Sequence, residues 1–249
     1  MRTIATVLLS FLFVSCGQKP NQSTLEGSQT SKQPLIIAMA GFSTCRTDQN
    51  FHNGMHGPMG GRLFRKVEEL AQTIHQKMGT EPLTLASCFT TESKLIVSSS
   101  AAPNTISSPT DDQYIATLHH TMEQYSDVFI VGHSYGGWLA MKLVETYEGP
   151  ADRIKSLYSI DPISKKLCFF NNPEYCMSAP KDILASGRQH INDMTKIWVN
   201  PWQKKTFYLH SSIIPQADEN PLYDLDHYEL DNSDAIWTDM AGRISSGEL

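Results

Sequence analysis

Asp127 to Gly137 reads DVFIVGHSYGG, and it decides how the rest of the chain is read. Val128, Phe129, Ile130 and Val131 are a β-branched and aromatic run of the kind that forms a buried strand. The run stops at Gly132-His133-Ser134-Tyr135-Gly136, and Trp138 to Val144 then reads as a buried helix. A strand that turns at once into a helix around Gly-x-Ser-x-Gly holds the central serine at the tip of the turn, in a strained backbone conformation. Any larger residue at position 132 or 136 would collide with the adjacent strand or helix, so the glycines act as spacers. Ser134 is the candidate nucleophile.

Strands and helices alternate on both sides of this stretch. Pro34 to Gly41 reads as a first central strand. Leu63, Phe64, Val67, Leu70, Ala71 and Ile74 fall at helical spacing within 61–78, and Gly79 is the stop. Leu83 to Phe89 reads as a strand and Leu95 to Val97 as a weaker one, with a Ser, Ala and Pro rich loop from Ser98 to Pro109. A helix is expected over Asp111 to Tyr125. After the serine, Ile154 to Ile160 is the next strand and ends abruptly in Asp161-Pro162. A helical run follows over Lys181 to Val199, then a strand over Thr206 to Ser211 and a last helix from Ser233 to Ile244. The 249 residues suit a single α/β domain. The net charge of −6 is spread without long like-charge runs, which argues against a nucleic-acid partner.

GHSYGG, an Asp-Pro at the end of the following strand, and a histidine near the C-terminus together resemble the α/β-hydrolase superfamily, and within it the lipases and esterases. As an order of elements the resemblance runs from about Leu35 to the end, but only those short motifs are specific. It implies an α/β-hydrolase fold, with a mostly parallel central sheet and helices on both faces. It also implies the chain order serine, acid, histidine. Of nine histidines, this order leaves His190, His210 and His227. His190 falls in a predicted helix and His210 in a predicted strand, whereas His227 has the loop position of the family. For the acid, Asp161 is favoured over Asp218 for its strand-end position and the proline that fixes the turn after it. Asp224 and Asp226 are weaker candidates, because Asp226 adjoins His227 and sequence neighbours rarely face each other. The oxyanion donors implied are the N–H of Tyr135 and that of Phe42 or Ser43.

The activity implied is hydrolysis of carboxylic esters through an acyl-enzyme, on a small-molecule or lipid ester, with neither metal nor organic cofactor required. The alternative is an inactive lipoprotein that keeps the fold for a binding or envelope-structural role. Other chemistry on the same fold is a further option, since fold does not fix function. Phe42, Phe51, Phe169, Phe170 and Trp202 would suit an acyl chain or the core equally. Ile163 to Asn200 reads as a small lid or as a helix on the sheet. His52 and His56 have the spacing of a helical metal pair, but the glycines and proline around them argue against a helix there. His119 and His120 point in different directions from one helix and read as ordinary helix residues. The sequence carries no indication of oligomeric state.

Residues 1–15 pair one positive charge with a short apolar segment and read as an export signal. Phe13-Val14-Ser15-Cys16-Gly17 resembles a bacterial lipobox, although Leu is usual where Phe13 stands, and makes Cys16 the expected lipid anchor to a membrane. Residues 16–34 then read as a flexible tether and 35–249 as the folded domain. The expected location is the bacterial cell envelope. Of the five cysteines, those besides Cys16 are Cys45, Cys88, Cys168 and Cys176, an even set that favours disulfides in an oxidising compartment. Cys168 with Cys176, flanking a short loop, and Cys45 with Cys88 are the expected pairs.

Overall fold

The computed structural model describes residues 33–42, 60–89, 94–98, 105–108, 110–164 and 176–249. The expected leader, Cys16 and most of the tether lie outside these residues. So do Ser43, Cys45, Phe51, His52, His56, Cys168, Phe169 and Phe170. Cys176 is disulfide-bonded.

One sheet has the order β4-β3-β2-β1-β5-β6-β7. Its strands are β1 (Leu35–Phe42), β2 (Leu83–Phe89), β3 (Lys94–Ser98), β4 (Thr105–Ser108), β5 (Val128–His133), β6 (Ile154–Ile160) and β7 (Trp198–Val199). β2, β1, β5, β6 and β7 run parallel; β3 is antiparallel to β2, and β4 to β3. β8 (Trp202–Gln203) and β9 (Leu222–Tyr223) form a separate short parallel pair. The helices are α1 (Gly60–Met78), α2 (Asp111–Met122), α3 (Tyr135–Glu145), α4 (Ala185–Met194) and α5 (Asp234–Ser246).

The period of two along a strand divides β1 between two cores. Leu35, Ile37 and Met39 pack in one cluster with Tyr114 and Leu118 of α2, Leu139 and Leu143 of α3, and Ile191 of α4. Ile36, Ala38 and Ala40 pack in the other with Leu63, Val67 and Ile74 of α1 and Trp237 and Met240 of α5. Helices therefore cover both faces, which is why β1 and β5 are apolar at successive positions instead of alternating.

Register decides what meets at the carboxyl edge. His133 is the partner of Ile160 across β5 and β6. The next residue on each strand is Ser134 and Asp161, so the two leave the sheet side by side.

Three elements differ from expectation. The loop expected from Ser98 to Pro109 contains β4, a short Ser/Thr-rich edge strand that needs a partner on one side only. The helical run expected over Lys181 to Val199 is helical only from Ala185 to Met194. Thr195 turns extended there, and Trp198 and Val199 become edge strand β7 against Leu157 and Tyr158. Thr206 to Ser211 is irregular, not a strand. Its N–H groups find local or side-chain acceptors in place of a ladder: Thr206 N–H bonds Gln203 Oε1 (2.8 Å), and Ser211 N–H bonds Asp161 Oδ1 (2.6 Å).

Candidate active site

Ser134 joins β5 to α3 at φ 58°, ψ −123°, a conformation that costs about 1–3 kcal/mol for a side-chain-bearing residue. The surrounding contacts leave it no alternative. A Cβ on Gly136 would lie 2.2 Å from Met39 O, and one on Gly132 2.3 Å from Gly136 O. Ser134 N–H donates to Ile160 O (2.9 Å), and Ser134 O accepts from Trp138 N–H (3.1 Å) and Ile163 N–H (3.0 Å). The steric role read for both glycines in the motif thus has identifiable neighbours.

Asp161 is fully buried, also at positive φ (43°), and is held by three donors. Ser211 N–H bonds Oδ1 at 2.6 Å; Gln203 Nε2 and His227 Nδ1 bond Oδ2 at 2.9 and 2.7 Å. An ionised carboxylate only accepts, so Nδ1 of His227 carries the proton and Nε2 faces outward with its lone pair. That Nε2 lies 2.9 Å from Ser134 Oγ. Ser134, His227 and Asp161 thus form one hydrogen-bonded chain from three separate segments. The main chain of His227 is fixed by Thr206 Oγ1, which accepts from its N–H at 2.8 Å. It is also fixed by His133 Nε2, 2.7 Å from its carbonyl oxygen. Burial holds the His133 imidazole well below its usual range, and repulsion from His227 adds to that effect.

Tyr135 is the first residue of α3, where the leading N–H groups point out of the helix end. Its phenol donates to Asp111 Oδ1 (2.6 Å) and stacks on Trp138, so its backbone position is firm. Phe42 closes β1 beside Gly41, and a Cβ on Gly41 would lie 3.3 Å from Ser134 Cβ. This places the end of β1 against the serine, on the side of β5 opposite β6, the strand that Asp161 follows.

The other carboxylates and histidines have different duties. Asp218 is exposed and bonds Trp198 N–H (2.7 Å) and Asn192 Nδ2 (3.2 Å), tying α4 to β7. Asp226 Oδ1 accepts from Tyr228 N–H in a local turn. His119, His190 and His210 each place a ring nitrogen on a backbone carbonyl. Trp202 is buried, with its indole N–H on Asn220 O, so it belongs to the structure under the site. α4 packs on α3 through Ile191 and Met194, so this part of the 163–200 segment is a helix on the sheet. Among the described residues no His, Cys, Asp and Glu cluster could hold a metal ion. No described helix is long and apolar enough to cross a membrane. Gln203, Thr206 and His133 were not singled out from sequence. No pattern marks the first two; His133 was visible only as the variable residue of the serine motif.

A mostly parallel sheet, helices on both faces, and a sharp strand-to-helix turn carrying a serine define the α/β-hydrolase fold, and the chain has it. Among solved structures it is similar to the Butyrivibrio proteoclasticus protein Est1E with ferulic acid bound, at 14% identity over 87% of this chain and 88% of that one (TM-score 0.42). It is similar also to the Pyrococcus furiosus esterase Pf2001, at 11% identity over 88% and 82% (TM-score 0.47). A third is naproxen esterase from Bacillus subtilis, at 11% over 85% and 83% (TM-score 0.43). No family model and no curated protein matches the chain.

Proposed function

We propose that the chain is a serine hydrolase of carboxylic esters acting through Ser134, His227 and Asp161. The observation that carries this reading is the continuous chain of hydrogen bonds from Ser134 Oγ to His227 (2.9 Å) and on to Asp161 (2.7 Å), set on a strained turn. Ser134 Oγ attacks the ester carbonyl carbon while His227 Nε2 takes its proton. Asp161 keeps the imidazole in the tautomer that can do this, and stabilises the cation that results. The N–H of Tyr135, with that of Phe42 or Ser43, holds the negative oxygen of the tetrahedral intermediate. His227 then protonates the departing alcohol oxygen as the carbon–oxygen bond breaks. Water, deprotonated by the same nitrogen, releases the acid and restores the serine. A fluorophosphonate probe should label the protein at Ser134 and leave Ser134→Ala unlabelled. A panel of acyl esters of increasing chain length, run beside a peptide and a thioester, reads the substrate class. Labelling equal in both proteins would remove the proposal.

We propose also that residues 1–15 are an export signal and that a lipid on Cys16 holds the domain at a bacterial membrane, which suits a glycerolipid or other ester presented there. Cys16→Ser should then leave the membrane fraction. The disulfides proposed are Cys168–Cys176 and Cys45–Cys88; non-reducing peptide mapping that joins Cys45 to Cys168 would overturn that pairing.

A further inference from the structure

The geometry points to His133 as a positioning residue: through its hydrogen bond to the carbonyl of His227 it ties the base to the strand that carries the nucleophile. The inference rests on the reading of Ser134 and His227 as nucleophile and base. It gives a duty to a buried ionisable side chain in contact with His227 that the proposed reaction does not use.

His133 ends β5, is continuous with Ser134, and has a buried side chain. β5 is hydrogen-bonded on both sides, to β1 and β6, so the ring is mounted on an interior strand of the sheet. A carbonyl oxygen only accepts, so the 2.7 Å contact with His227 O places the proton of His133 on Nε2. The ring lies 4.7 Å from that of His227, centroid to centroid, tilted by 37°. A charged His133 there would oppose the imidazolium that forms on His227 during acylation. Burial keeps it neutral, so the clamp donates its hydrogen bond without adding repulsion.

The chain after His227 folds over the same ring. Asp231, in the turn Leu230–Asn232, brings Oδ2 to 3.8 Å from His133 Nδ1, and its carbonyl accepts from Trp237 Nε1 of α5 (2.9 Å). Residues 227–231 therefore straddle His133, with the carbonyl of His227 at one side and Asp231 at the other. Besides the contact of Nε2 with Ser134 Oγ, three bonds hold His227. Thr206 holds its N–H from an irregular segment, and Asp161 holds Nδ1 from the end of β6. Of these three, the His133 bond is the one that runs to β5, the strand leading into Ser134, and it sets the base at hydrogen-bond distance from the serine.

The experiment compares His133→Gln, His133→Asn and His133→Leu with the wild type and Ser134→Ala, in hydrolysis of p-nitrophenyl acetate and in the proton NMR spectrum. A glutamine amide reaches the position of Nε2 and can donate to the His227 carbonyl; an asparagine amide stops near Nδ1 and cannot. Leu and Asn should lower kcat by roughly 30- to 100-fold with KM within about twofold, the size expected for a base displaced by up to about 1 Å. They should also broaden the low-field resonance of the His227 Nδ1 proton. Gln should keep the resonance and stay within about fivefold of wild-type kcat. Gln as impaired as Leu, or Asn and Leu with wild-type kcat and an unchanged resonance, would overturn the inference. If Leu does not fold, the Asn and Gln pair still decides. Ser134→Ala at the wild-type rate would sink the esterase reading instead, and the resonance alone would then judge whether His133 fixes His227.

Discussion

The loop after β6 and the loop between β8 and β9 each set an aspartate against a backbone N–H, yet only one of the two reaches a histidine. Asp161 is fully buried, sits at positive φ, and shares its oxygens among Ser211 N–H, Gln203 Nε2 and His227 Nδ1. Asp218 is exposed and spends its oxygens on Trp198 N–H and Asn192 Nδ2. The difference lies less in the number of donors than in where they come from. Those of Asp218 belong to two pieces of secondary structure, α4 and β7, which it staples together. Those of Asp161 come from β8, from an irregular segment and from an imidazole, three stretches of chain that converge on one carboxylate.

The widest separation between the two loops should come from identical substitutions. Asp161→Asn keeps the shape, and asparagine tolerates positive φ, but it cannot favour the required tautomer of His227 or stabilise its cation; kcat should fall by about 10⁴ with the fold retained by circular dichroism. Gln203→Leu removes the amide that bonds both Asp161 and Leu209 O, and with it the acceptor for Thr206 N–H. We expect kcat to drop roughly 10- to 100-fold and stability by about 2–3 kcal/mol in a denaturant titration. Asp218→Asn should change kcat by less than about tenfold and cost about 1 kcal/mol, lowering Tm by about 2–4 °C. If Asp218→Asn abolished ester hydrolysis while Asp161→Asn left it intact, the roles assigned to the two loops would be exchanged.

A further effect, on stability and not on rate, is expected in its pH dependence. His133 has its folded pKa well below the ordinary 6.5. As the pH falls below about 6.5 the unfolded chain takes up a proton that the folded one refuses, so acidification destabilises the fold by at most about 1.4 kcal/mol per pH unit. Above that pH the group contributes nothing. His133→Gln should flatten the slope of unfolding free energy between about pH 6.5 and 5 by up to one proton. An unchanged slope would mean that His133 titrates normally and that its neighbours His227 and Asp231 hold it differently.

The apolar runs of β1 and β5 were legible because both of their faces are covered, and the serine turn because its glycines answer to backbone only 2.2–2.3 Å from any added Cβ. Asp161 stood out by its abrupt strand-end position, and it is the aspartate that meets His227. The support around that pair was not legible. Gln203 is 42 residues from Asp161, Ser211 is 50, and Thr206 is 21 from His227, and no periodicity links them. The segment from Thr206 to Ser211 has the composition of a strand, yet its donors go to side chains and to scattered carbonyls instead of a ladder. β7 was hidden for the opposite reason: it is two residues long and follows a helix with hardly a break.

Ser134 and Asp161 are the non-glycine residues at positive φ among those described, and they are the first and last members of the proposed relay. Two of the three residues of the proposed relay therefore carry this strained backbone, which sets durability against turnover in a way that can be weighed. A lineage released from the need to turn over substrate would gain by glycine at position 134, whereas glycine at 161 would leave the buried Ser211 N–H unpaired and take from Gln203 Nε2 one of its acceptors. Ser134→Gly should unfold at a higher denaturant concentration than Ser134→Ala, by about 1 kcal/mol, since both lack the hydroxyl and only glycine is at ease at φ 58°. Tolerance of glycine at position 134 thus distinguishes a chain kept for its reaction from one kept only for its shape.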